Sequence, residues 1–278
     1  MHTLTFEKIV ARTKKHIFTD MSGNYSSLSK GEGYDFATLR EYQYGDSVKH
    51  IDWKKSAQKM ALQQRIFFAE REIDINLMAL MNGSLHFGIS RMKQEVVGEV
   101  ASLLGYYALK NNDPFTLTLF NEALVATTYS TKQESRLQNV LKTLLTMNVI
   151  GHHIDWKEVE KYAVHVLKKS SLMFIIGDFF EVPMLEILCR KHHVVVIIVR
   201  DLFEENLDNI GTLHIKDPIG LEERRISVDH AFAKQYSQHQ QIHDRNLDAY
   251  LKSSGIAYTK IYTYEDPFLK LLTLLRSL

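Results

Sequence analysis

Cysteine is almost absent from this 278-residue chain: Cys189 stands alone. An intramolecular disulfide and a multi-cysteine zinc site are therefore excluded, and a reducing compartment is expected. Charge of one sign is lacking too. Lys plus Arg total 34 and Asp plus Glu 33, which leaves no overall footprint for nucleic acid or an anionic membrane. No apolar run reaches the length of a membrane span, and residues 1–10 lack the apolar core of a signal peptide. A soluble, cytoplasmic protein with no membrane insertion is the expectation. The 13 histidines should make net charge climb below about pH 6.5, the ordinary imidazole pKa. Also missing are a phosphate loop, a dinucleotide fingerprint and a Gly-x-Ser-x-Gly elbow, so no cofactor is expected.

What is present divides at about residue 72. Residues 1–72 hold Gly23, Gly31, Gly33 and Gly45 among serines, which reads as turns between short strands. From Ile73 onward, apolar strands alternate with amphipathic helices. Ile75–Met81, Phe115–Phe120, Leu172–Gly177, Val194–Val199 and Ile256–Tyr262 read as strands. Leu124–Tyr129 reads as an antiparallel return from the second of these. Helices are expected over 91–110, 130–147, 155–167, 183–191, 230–253 and 267–278. The segments 211–215 and 223–227 read as a pair at a sheet edge. This alternation predicts an α/β fold with a doubly wound, mostly parallel sheet over residues 73–278 and a small β-rich part before it.

The most specific text is Leu39–Trp53, within which stand Arg40, Tyr42, Gly45, Asp46, Ile51, Asp52 and Trp53. It closely resembles the signature of the bacterial "domain of unknown function 58" family, and the lead-in from Gly23 to Gly33, Lys55-Ser56-Ala57 and Glu70 resemble its flanks. The resemblance implies a von Willebrand factor type A-like domain and an adaptor or scaffold partnered with a MoxR-type AAA+ ATPase. Read physically, Gly45-Asp46 is a turn dipeptide, Arg40 can pair with Asp46 or Asp52, and Trp53 is expected to pack its ring on the face below it. The signature serves either to lock the front strands in place or to bind a partner.

Type A domains often hold Mg²⁺ on an Asp-x-Ser-x-Ser motif after the first parallel strand, completed by a Thr and a later Asp. Here Leu80 replaces the leading Asp, Asn82 the first Ser, and Ser84 remains. Asp178 matches the later Asp, and Thr131 is a candidate for the Thr. One carboxylate among neutral oxygens is a poor Mg²⁺ site, so Asn82, Ser84 and Asp178 form a degenerate crest and no resident metal is expected. Asp178 alone could equally serve as a cap or a loop acceptor. His152-His153 and His192-His193 lack metal spacing, whereas His239 and His243 would share a helix face, with Gln240 where a hydrolytic zinc motif needs Glu. Cys189, among Leu185, Ile187 and Leu188, reads as a buried, inert thiol. The expected function is non-enzymatic protein interaction. The alternative is a metal-dependent receptor or enzyme using the crest.

Overall fold

The computed structural model describes residues 7–14, 30–68, 73–207 and 211–278. The chain forms two compact units, Met21–Glu72 and a larger one of Met1–Asp20 with Ile73–Leu278. Helix α1 (residues 7–14) belongs to the larger unit, where Arg12 pairs with Glu99 at 3.3 Å and Asp266 at 2.8 Å, and Lys14 with Glu134 at 2.7 Å.

The smaller unit is an antiparallel hairpin of β1 (Lys30–Glu41) and β2 (Gln63–Phe68). Its long connection carries a 3-10 turn (Val48–His50) and helix α2 (Trp53–Lys59). Residues 23–29 of the family lead-in and Glu70 lie outside the described residues.

The larger unit is built on a six-stranded sheet. Its strands are β3 (Ile75–Leu80), β4 (Phe115–Phe120), β5 (Leu124–Thr127), β6 (Leu172–Gly177), β7 (His193–Arg200) and β10 (Ala257–Tyr262), in the order β10-β7-β6-β3-β4-β5. All pairings are parallel except β4 with β5. The unbroken apolar runs follow from burial on both faces: every residue of β3 and β4 is buried. On one face Met78, Leu80, Ile175, Val196 and Ile198 join a core with Val159, Leu188, Leu247 and Leu251. These last come from α5 (Trp156–His165), α6 (Glu186–Cys189) and α8 (His230–Ser253). On the other face α3 (Lys93–Lys110) packs with α4 (Glu134–Thr146) and α9 (Pro267–Ser277). The α3–α4 approach is close: a Cβ on Gly98 would lie 2.5 Å from Leu145, and one on Gly105 2.7 Å from Leu137.

Two expectations are corrected here. The segments near 211 and 223 do pair, as β8 (Gly211–Lys216) with β9 (Glu223–Val228), but they form a separate two-stranded sheet rather than an edge of the main one. Alternating residues specify a strand without specifying its neighbour. The helix expected over 183–191 shrinks to the single turn of α6, since Pro183 and Met184 precede it in irregular backbone. No helix among the described residues is long and apolar enough to cross a membrane.

Candidate functional site

In the small unit, the signature's polar atoms build the frame. Gln43 to Asp46 forms a turn closed by the Asp46 N–H donating to the Gln43 carbonyl at 3.0 Å, and Gly45 takes φ +104 there. That left-handed value suits glycine. The Asp46 carboxylate accepts from the Gln43 N–H at 2.8 Å and from Arg40 Nη2 at 2.6 Å. These two contacts hold its pKa below the ordinary value, with the backbone donor the larger cause. Asp52 caps α2, accepting from the Lys55 N–H at 3.0 Å, and pairs with Arg65 rather than Arg40, at 2.9 Å. Its pKa is lowered by the same kinds of contact, the cap first. Ser56 Oγ donates to the Asp52 carbonyl at 2.7 Å and accepts from the Gln63 N–H at 2.8 Å, which ties α2 to β2. The Tyr42 N–H donates to the Leu62 carbonyl at 2.8 Å, closing the hairpin end. Trp53 departs from expectation. It is 64% exposed instead of packed, at the first position of the short helix α2, whose one buried residue is Ser56.

In the large unit, β3 and β6 flank the point where the chain reverses its direction of travel across the sheet, the place beyond whose carboxyl ends open α/β sheets form their sites. The crest residues meet there. Ser84 Oγ donates to Asp178 Oδ2, and Asn82 Nδ2 donates to Asp178 Oδ1 at 3.3 Å. Leu80, where a type A motif has its leading Asp, is buried in the apolar core and contributes no donor. Thr131 is not part of this crest. Its backbone bonds Phe115, the first residue of β4, at the opposite end of the sheet.

Sequence reasoning missed the residue that dominates the crest. Lys93, at the first position of α3, is fully buried, with its ammonium 2.6 Å from Glu204 Oε1 and 3.5 Å from Asp178 Oδ2. A cation at a helix N-terminus opposes the helix dipole, and a buried one is tolerable only with close counter-charges. Glu204 lies in α7 (Leu202–Glu205), which is started by a capping box from Asp201. Burial pushes the Glu204 pKa up, against the pull of Lys93. Burial would likewise raise Asp201, but hydrogen bonds from Thr263 Oγ1 at 2.5 Å and the Ile89 and Phe203 N–H groups at 2.9 Å, with the Lys93 charge, outweigh it and hold the carboxyl below its usual value.

Beside Lys93, the Phe180 ring meets two cations, the ammonium 4.9 Å and the Arg200 guanidinium 3.6 Å from its centroid. Phe179 adopts φ +52, and its carbonyl accepts from Arg200 Nη2 at 3.1 Å and His243 Nε2 at 2.9 Å. Asp244 lies 3.6 Å from Arg200 and 2.6 Å from Lys260, which also reaches Glu205 at 2.8 Å. The crest's carboxylates are thus paired with the chain's own cations. Its donor set does not fit a divalent ion: both Asp178 oxygens are engaged, and Lys93 supplies the positive charge where an ion would sit.

The remaining candidates go elsewhere. His243 bonds Phe179 while His239 is exposed, so the pair does not converge. His152 and His153 both reach Glu122, at 3.0 and 3.1 Å. His192 bonds Ser171 at 2.8 Å, and His193 is exposed. Among the described residues no group of three or more His, Cys, Asp or Glu is arranged to hold a metal. Cys189 is half-buried, with its thiol pKa pushed up by burial and then by Glu186.

These features define an α/β protein whose sheet crest is closed by internal ion pairs, preceded by a small signature-bearing hairpin unit. The chain belongs to the DUF58 family, described as "Protein of unknown function DUF58", whose model matches residues 38–246. It is 21% identical over 253 residues to the uncharacterized protein Rv1480 of Mycobacterium tuberculosis, covering 88% of this chain and 80% of that one. The uncharacterized protein Mb1516 of Mycobacterium bovis matches with the same figures. Among solved structures, BatB from Bacteroides thetaiotaomicron aligns with a TM-score of 0.45 and 11% identity, over 74% of this chain and 98% of that one. An aerotolerance-related membrane protein from Bacteroides fragilis aligns with a TM-score of 0.45 and 9% identity, over 74% and 100%.

Proposed function

We propose that the large unit is a von Willebrand factor type A-like domain and that the chain is a non-enzymatic interaction module, an adaptor for a MoxR-type AAA+ ATPase. The type A reading is supported by the parallel sheet with one antiparallel edge strand and by a crest that carries Ser84 and Asp178 after β3 and β6. The observation that carries the interaction reading is the Lys93 ammonium between Asp178 and Glu204. A crest filled by its own cation offers no vacant coordination position to a ligand's carboxylate. Recognition then falls to the surface of the protein.

Two measurements test this. Calorimetry and thermal melting with millimolar Mg²⁺ or Mn²⁺ should give neither heat nor a rise in Tm, since an ion that binds only the folded state must stabilise it. A clear rise would restore the alternative, a metal-dependent receptor or enzyme using Asn82, Ser84 and Asp178. Co-sedimentation with a MoxR-type ATPase from the same genome should yield a complex. Separate migration, with ATPase activity unchanged on mixing, would refute the adaptor role.

A further inference from the structure

We infer that the connection between β1 and β2 is a docking face for an acidic protein surface, an inference that rests on the interaction reading above. In this connection the polar groups of the signature are consumed internally: Arg40 by Asp46, Arg65 by Asp52, and Ser56 by the backbone of Asp52 and Gln63. Its large apolar side chains do the opposite. Tyr44 and Met60 are fully exposed, Trp53 is mostly so, and Val48 and Leu62 stand out beside them. Helix α2 buries one residue, Ser56. The framework therefore spends two ion pairs, a turn and a cap on holding an indole and a phenol in water. Aromatic anchors of this kind are the commonest energetic centres of protein interfaces.

Charge names the occupant. Residues 38–66 contain six Lys and Arg against three Asp and Glu, a net of +3 in a chain whose total is +1. Once the two ion pairs are set aside, the exposed Lys49, Lys54, Lys55 and Lys59 share this connection with Tyr44 and Trp53 and make no ion pair among the described residues. An acidic patch with an apolar recess complements that arrangement. A lipid surface fits less well. Lys54, Lys55, Gln58 and Lys59 interrupt the seven residues of α2, so no continuous apolar stripe exists to sink below the headgroups.

The test uses the full chain with the MoxR-type ATPase as probe, at low and high salt. The double variant Trp53→Ala/Tyr44→Ala should bind at least ~10-fold more weakly. The variant Lys54→Glu/Lys55→Glu/Lys59→Glu should lose binding and its salt dependence together. All five side chains are exposed, so melting temperatures should match the parent and show that folding is intact. A parent that binds while both variants bind equally well overturns the docking face and leaves the adaptor reading standing. A parent that fails to bind removes the adaptor reading and this inference with it. Binding of the parent to phosphatidylglycerol vesicles, lost in the double variant, would make the occupant a membrane and overturn the protein assignment.

Discussion

Lys93 and Asp201 show how single side chains close the crest. Replacing one member of a buried ion pair strands the other, at a cost of about 3–5 kcal/mol. Lys93→Met should therefore lower stability by about that amount, because Glu204 and Asp178 lose their counter-charge. In a urea-unfolding cycle with Glu204→Gln, the double variant should lose less than the sum of the single losses; strict additivity would show the two groups uncoupled. Asp201 contributes a pH dependence in the large unit. Its folded pKa is below the unfolded value of about 3.8, so its contribution is present above that pH and is lost as pH falls through the folded value. Asp201→Asn should cost about 1–3 kcal/mol near neutrality. The gap between parent and variant should narrow below pH ~3.8 in unfolding titrations; a constant gap would contradict the assigned hydrogen bonds.

Among the elements, the hairpin β8–β9 rests its tip on the loop that follows β3. Its tip places the Pro218 carbonyl 2.7 Å from the Gly151 N–H it accepts from, and a Cβ on Gly83 would lie 2.1 Å from that same oxygen. Gly83 is thus small because backbone meets backbone there. Gly83→Val should push the tip away. Hydrogen exchange is then expected to quicken at the Gly151 amide and across 211–228, while β3, β6 and β7 stay protected. Unchanged exchange in the hairpin would mean that its tip does not rest on Gly83. In the sequence, the two strands of this hairpin read as a pair. Its placement over Gly83 had no local signal, because the contact joins residues more than a hundred positions apart.

On the scale of the whole molecule, the two units divide their labour by their capacity to bury. The sheet, covered on both faces, absorbs nearly every apolar strand residue. In the hairpin unit Tyr44 and Trp53 face solvent. The sequence by itself determined the parallel strands, most of the helices between them and the family signature, since unbroken apolar runs, helical spacing and a cap residue such as Asp155 act over a few positions. The resemblance to type A domains also put Asn82, Ser84 and Asp178 on one crest. Only the tertiary structure decided that Lys93 fills that crest, that Thr131 sits at the other end of the sheet, and that Trp53 faces solvent. Each of these depends on which distant surfaces come together, and the energy of a buried charge or an exposed ring is set by those neighbours and not by adjacent residues.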